Sequence, residues 1–338
     1  MRILFITQMW PSSRNPDLGS FLVPLARELR VQGHEVDLAA ISERGGSPAK
    51  YGRLVGRAVA AARRTRPDVV FAHFLFPAGA AGVAASLAAR APLVVMAHGQ
   101  DVANLGAVPG VTAATRAVVG RADAVIANSR WLAGRLGERI PGAGSKLEVV
   151  DCGVDLEAFA PLAASEARRE LGWDGDGPAF LCVGSLIERK NVLRLADAFA
   201  RVGRGRLAYV GDGPLRSQLE GRPNVFIRGR VPQAEVPRWV AACDVLCQPT
   251  LIEPFGQATL EAMAMERTVV ATTVGGPPEF VSADAGVLVD PDDTGALAAA
   301  LERAATLPSP NPAGRAAAAE HDVRRQAERM GAVLERAR

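Results

Sequence analysis

The chain has 338 residues, 49% of them hydrophobic and 22% charged, values that exclude a disordered or fibrous protein and favour two globular domains over one. Its four cysteines, Cys152, Cys182, Cys243 and Cys247, form no CxxC pair and have no clustered histidines beside them. They read as buried free thiols rather than metal ligands or disulfides, and no metal is expected.

The first ten residues carry one basic residue and an apolar run that stops at Gln8 without a cleavage site. Export is not indicated, and a cytoplasmic protein is expected. From there, β-rich runs alternate with stretches of helical length, the pattern of a parallel sheet covered on both faces. In the first half the strands are expected at 3–7, 35–41, 68–72, 93–97, 124–127 and 147–151. The Ala- and Gly-rich stretch 77–91 is too short to span a bilayer and reads as a packed helix.

Charge is uneven along the chain. Residues 1–155 carry 18 Lys and Arg against 12 Asp and Glu, and the remainder 21 against 24. Much of the excess is Lys50, Arg53, Arg57, Arg63, Arg64 and Arg66, with no acid among them. Two readings stay open for Lys50–Arg66: a solvated helix face, or a patch for an acidic acceptor or anionic lipid, with peripheral contact at the inner face of the membrane. No aromatic stacking pattern accompanies the run, so a nucleic-acid partner is not expected.

Strands of the second half are expected at 180–183, 207–210, 225–227, 245–248, 269–272 and 286–289. The whole reads as an α/β protein of two doubly wound Rossmann-like domains, 1–156 and 157–313, with 314–338 as one C-terminal helix that packs back toward the first domain. Open α/β sheets bind ligands at the carboxyl ends of their strands, so a shared interdomain cleft is expected there.

Chemistry-bearing residues fall at those ends. The string Glu253-Pro-Phe-Gly-Gln-Ala-Thr-Leu-Glu261 brackets a strand-to-helix turn with two carboxylates. Free amides at the helix start suit a diphosphate, and the carboxylates can accept from sugar and ribose hydroxyls. Gly184-Ser185-Leu-Ile-Glu-Arg189-Lys190-Asn191 is a second such turn, whose cations can stabilise a departing diphosphate without a metal. Gly275-Gly276-Pro277 lets the backbone approach a ligand. In the first half, His73 and His98 end or follow strands, and a structural role competes with a functional one for each.

In this order the motifs resemble the family-four retaining glycosyltransferases with the GT-B fold. The match includes Arg14–Phe21, the Gly33-His-Glu-Val turn, 68–74 with Pro77 and Gly79, His98-Gly-Gln-Asp101, and most specifically the Glu, seven residues, Glu signature followed by Glu-Ala-Met-Ala. The resemblance implies a metal-independent retaining hexosyltransferase that moves sugar from an NDP-sugar to a sugar, lipid-linked or small-molecule acceptor. Bacterial polysaccharide, glycoconjugate or natural-product synthesis is the implied setting, with no cofactor. It implies catalytic roles for Glu253, His98 and Lys190. Donor contacts would come from Gly184, Ser185, Arg189, Lys190, Val231, Glu253, Phe255, Gly256, Gln257, Ala258, Glu261, Gly276 and Pro277, and acceptor contacts from Gly19, Ser20, His73 and His98. The chain departs from the family where Ser185 replaces a phosphate-binding Arg, Cys152 an Asn, and Glu266 and Thr268 a Gly and a Pro. A non-catalytic nucleotide-sugar-binding subunit and an NDP-sugar epimerase of the same fold are the alternatives.

Overall fold

A computed structural model describes residues Met1–Arg338. The chain divides into two units, Met1–Gly153 with Val323–Arg338, and Val154–Asp322.

The first unit runs β1 (Arg2–Thr7), α1 (Leu22–Val31), β2 (Glu35–Ala40), α2 (Ala49–Thr65), β3 (Val69–His73), α3 (Ala78–Ala89), β4 (Leu93–Ala97), α4 (Gln100–Ala103), α5 (Val111–Arg121), β5 (Ala124–Ala127), α6 (Arg130–Arg139) and β6 (Leu147–Val149). Its six strands lie parallel in the order β2-β1-β3-β4-β5-β6. The strand period of two sends alternate side chains to opposite faces. On β1, Ile3 and Phe5 join a core with Leu22, Leu25 and Leu29 of α1, while Leu4 and Ile6 join one with Leu54, Ala58 and Ala62 of α2.

The second unit runs α7 (Ala164–Leu171), β7 (Ala179–Val183), α8 (Val192–Val202), β8 (Arg206–Val210), α9 (Arg216–Leu219), β9 (Val225–Gly229), α10 (Val236–Ala242), β10 (Val245–Gln248), α11 (Gln257–Ala264), β11 (Thr268–Thr272), β12 (Gly286–Val289), α12 (Thr294–Ala304) and α13 (Pro312–Ala319). Its sheet order is β12-β11-β10-β7-β8-β9, again all parallel. Leu181 and Leu246 face a core with Trp239, Leu260 and Met263, and Phe180 and Val245 face one with Leu195, Phe199 and Leu301.

All twelve expected strands form, with no end moved by more than about two residues. Three expectations are corrected. The stretch 314–338 is not one helix: α13 ends at Ala319, and α14 (Val323–Ala337) follows. Val323, Ala327, Met330 and Leu334 recur at helical spacing and bury against α1 and the first sheet, which makes α14 part of the first unit. The unit boundaries accordingly fall at 153/154 and 322/323 rather than at 156 and 313.

The third concerns the basic run. Lys50 is buried, its Nζ donating to the carbonyls of Gly45 at 2.6 Å and Glu43 at 3.1 Å. Arg53 pairs with the Glu43 carboxylate at 2.5 Å, and Arg57 donates to the Ala40 carbonyl. Arg57, Arg63, Arg64 and Arg66 stay exposed, so of this run only Lys50 is withdrawn from the surface and only Arg53 is paired with an acid. No helix is long and apolar enough to cross a membrane.

The cysteines are free and buried, as expected. Burial pushes the Cys182 and Cys243 thiols up to about 12.

Candidate functional site

In each sheet the strand order reverses beside the unit's first strand, which opens a crevice at the carboxyl ends. In the second unit this point lies between β7 and β10. Their ladder pairs Val245 with Phe180 and Leu246 with Leu181 and then stops. Beyond it the Gln248 side-chain amide donates to the Val183 carbonyl at 2.5 Å.

The two loops leaving these strands carry the principal pair. Lys190 closes a single 3-10 turn, and Asn191 takes the left-handed conformation with φ 58°. The Asn191 side-chain amide Nδ2 donates to the Pro249 carbonyl at 3.0 Å and the Pro291 carbonyl at 2.7 Å, which pins this turn to the β10 loop. Lys190 Nζ then reaches Glu253 Oε2 at 2.6 Å, with side-chain exposures of 18% and 14%. At that burial the pair is screened far less than a surface ion pair.

Glu253 is held on its other side by backbone. Its amide donates to the Val274 carbonyl at 3.0 Å, and its carbonyl accepts from the Gly276 amide at 2.9 Å. Gly276 allows this approach, because a Cβ there would sit 2.8 Å from the Phe255 Cα. Pro277 is buried beside it and opens a further 3-10 turn.

Gly256, with φ 110°, turns the chain into α11, a conformation that side chains rarely adopt. Its own side chain being absent, it leaves the first amides of α11 without a side-chain cap. Phe255 is buried against Phe280, their ring centroids 5.4 Å apart, while Gln257 and Ala258 are half-buried in the first turn. Glu261 lies in the second turn, buried within the helix. Burial pushes its carboxyl up to about 8, with Gln257 opposing the shift through a hydrogen bond. At neutral pH the ligand-free group therefore holds a proton.

Gly184 and Ser185 are half-buried after β7. Arg189 is exposed and its guanidinium donates to the Ile252 carbonyl at 3.4 Å. Val231 is buried past the end of β9. The second unit thus joins Lys190 directly to Glu253 and places Gly276 against the same loop. Arg189 is turned to the neighbouring loop backbone.

In the first unit the reversal lies between β1 and β3. His73 ends β3, and its Nδ1 lies 3.1 Å from Nε2 of His98, just past β4. His73 is fully buried, its ring stacked on Phe5 at 4.1 Å and tilted on Phe71 at 4.2 Å. Expected as an acceptor contact, it instead touches His98, because the core of β1 and β3 closes over it. His98 is half-buried among Phe74 and Phe21. Desolvation lowers His98 to about 3 and His73 well below the usual imidazole range, so both rings are neutral at physiological pH. Gly19 is buried with φ 68°, and Ser20 follows it half-buried at the start of the turn into α1.

Several polar residues that the motifs left without a task sit at these edges. The buried Asp101 carboxylate accepts from the amides of Leu75, His98, Gly99 and Val102 at 2.8–3.1 Å and so holds the loop that carries His98. Burial raises its carboxyl while those four amides oppose the rise. In the second unit Gln248 Oε1, Thr250 Oγ1 and Thr259 Oγ1 are buried with no hydrogen-bond partner. A glutamine inside the apolar run Val-Leu-Cys-Gln is the one signal in the sequence that marks this group.

Residues 18–158 match the family described as Glycosyltransferase Family 4, and residues 177–306 that described as Glycosyl transferases group 1. The chain is 27% identical over 352 residues to the putative teichuronic acid biosynthesis glycosyltransferase TuaC of Bacillus subtilis, covering 90% of this chain and 89% of that protein. It is 32% identical over 288 residues to a D-inositol 3-phosphate glycosyltransferase of Nocardioides, covering 75% of this chain and 63% of that one. Among solved structures it resembles sucrose-phosphate synthase from Thermosynechococcus elongatus, with TM-score 0.81, 20% identity and coverage of 99% and 98%. It also resembles Anabaena HepE in complex with UDP-glucose, with TM-score 0.80, 23% identity and 99% of each chain covered.

Proposed function

Because the chain belongs to the group 1, family 4 glycosyltransferases and has their GT-B fold, we propose that it moves a hexosyl group from a nucleoside diphosphate sugar to an acceptor hydroxyl, retaining the anomeric configuration and using no metal ion. The single observation that carries the reading is the contact between Lys190 and Glu253 beside the uncapped start of α11. A fixed cation beside the positive end of a helix is what a departing diphosphate requires, and a carboxylate next to them accepts from sugar hydroxyls.

In this reading the bond from the sugar's anomeric carbon to the diphosphate breaks while the acceptor oxygen bonds to the same face. The acceptor's proton passes to the leaving diphosphate, so no protein nucleophile is used. Lys190 and the α11 amides take up the charge that grows on the diphosphate. Glu253 holds the sugar, Glu261 the ribose, and Gly276 and Pro277 line the sugar's edge. Val231 offers its backbone to the base. The setting is the synthesis of a bacterial glycoconjugate, polysaccharide or natural product, in keeping with what TuaC is named for.

A thermal-shift screen of UDP-, GDP-, ADP- and dTDP-sugars identifies the donor by its stabilisation of the fold. Incubation of that donor with candidate acceptors, with and without EDTA, then follows nucleotide release and the anomeric signal of the product. Transfer with retention, unchanged by EDTA, is expected. Donor binding without nucleotide release would replace this reading with a binding subunit, and an isomerised donor sugar without acceptor would replace it with an epimerase.

A further inference from the structure

His73 and His98 are both neutral, and one proton lies between His73 Nδ1 and His98 Nε2 across 3.1 Å. Two arrangements satisfy that contact. If His98 Nε2 carries the proton, His73 must carry its own on Nε2, an atom that is buried and has no partner. An N–H group would then be orphaned in the pocket made by Phe5 and Phe71. If His73 Nδ1 carries it, the orphan is only a lone pair, and orphaned buried N–H groups are rarer than undersatisfied acceptors. The Asp101 carboxylate points the same way. It accepts the backbone amide of His98 at 3.1 Å, and a negative group beside the root of the side chain favours a proton on the nearer nitrogen, Nδ1.

We propose that His73 is a positioning residue that fixes His98 as the Nδ1-protonated tautomer, so that the single nitrogen His98 has left for a ligand is a hydrogen-bond donor. His98 then cannot accept the acceptor's proton. It serves as a neutral donor to an oxygen of the bound acceptor. That task for His98 rests on the transferase reading, whereas the tautomer itself does not.

The full chain has four histidines, so a long-range proton–nitrogen correlation spectrum of the 15N-labelled protein resolves each ring. The His98 signals are assigned by their loss in His98→Gln. The expected result is a pyrrole-like Nδ1 and a pyridine-like Nε2 on His98. In His73→Asn the amide N–H stands in for Nδ1–H, and the His98 pattern should persist with turnover within about threefold of the parent. In His73→Phe the pattern should shift toward Nε2 protonation, and kcat should fall roughly 10- to 100-fold, the range for outer partners that fix an imidazole, with donor KM unchanged. A bare Nδ1 on His98 in the parent protein overturns the proposal. So does an unchanged tautomer and kcat in His73→Phe. Should His73→Phe fail to fold, the parent and His73→Asn spectra still decide it. Absence of any sugar transfer, with the expected tautomer present, would count against the transferase reading and leave the tautomer assignment standing.

Discussion

A Cβ on Gly275 would lie 1.9 Å from the carbonyl oxygen of Glu253. The two residues face each other in an isolated parallel bridge, with Gly275 at φ 130°. The carboxylate that grips the sugar in the proposed reaction is therefore held in place by the absence of a side chain on a neighbouring loop.

Gly275→Ala must move that loop. Steric contact and a backbone conformation worth about 1–3 kcal/mol of strain act together, so the variant should melt several degrees lower. Donor KM should rise and kcat fall. Thermal melting beside steady-state kinetics checks both, and a variant with parental values in each would show that Glu253 is not positioned through this bridge.

Lys190→Met and Glu253→Gln should each lower kcat/KM by about 10²–10³, the usual cost of removing one group that stabilises a charged transition state. Each also strands a largely buried partner. A double-mutant cycle on stability should therefore give a coupling energy of roughly 1–3 kcal/mol. Circular dichroism confirms that the variants fold. Parental turnover in both single variants would remove the pair from the proposed chemistry.

The buried Glu261 carboxyl, raised to about 8, makes stability depend on pH. The folded form holds a proton that the unfolded chain releases above about pH 4.3. This contribution is thus complete in acid and declines as the pH rises through 4.3 toward 8. Denaturant titrations from pH 5 to 8 should show that decline, and Glu261→Gln should flatten it. If ribose hydroxyls donate to this carboxylate, binding of UDP or GDP at pH 7 releases about one proton. Calorimetry in two buffers of different ionisation enthalpy measures it, and equal heats in both would separate Glu261 from the ribose.

Glu266 adopts φ 58°, a left-handed conformation that costs a side-chain-bearing residue about 1–2 kcal/mol. A glycine, the residue that the resemblance to the family implies at this position, is unstrained there. Part of the gain is offset by glycine's freedom in the unfolded chain. Glu266→Gly should raise stability by up to about 1 kcal/mol with kinetics unchanged, as read from urea midpoints. A lower midpoint would show that the carboxylate contributes something the backbone does not.

Much of this is legible in the sequence. The strands were visible because a strand's side-chain period and its length are local properties, and Glu253, Glu261 and Lys190 stood out because each follows a strand through a turn of Gly or Pro. The turn into α11 shows how short the range of such signals is: Gly256, the N-cap, and Glu261, within the helix, belong to one short local segment.

The basic run shows where that range ends. Lys50 and Arg53 look alike in sequence, but the carbonyls of Glu43 and Gly45 fold back over one of them and the Glu43 carboxylate meets the other. C-terminal residues 314–338 likewise divide because α14 finds its apolar partners in α1, hundreds of positions away.

By itself the sequence determined the alternation of strands and helices, the two-part organisation and the family motifs, all of which rest on residues a few positions apart. Only the tertiary structure decided that His73 is sealed in the core against His98, that Lys190 lies on Glu253, and that Glu261 holds a proton. Those properties depend on which distant side chains exclude water from a group and which supply it with a partner, and both are settled only when the chain packs.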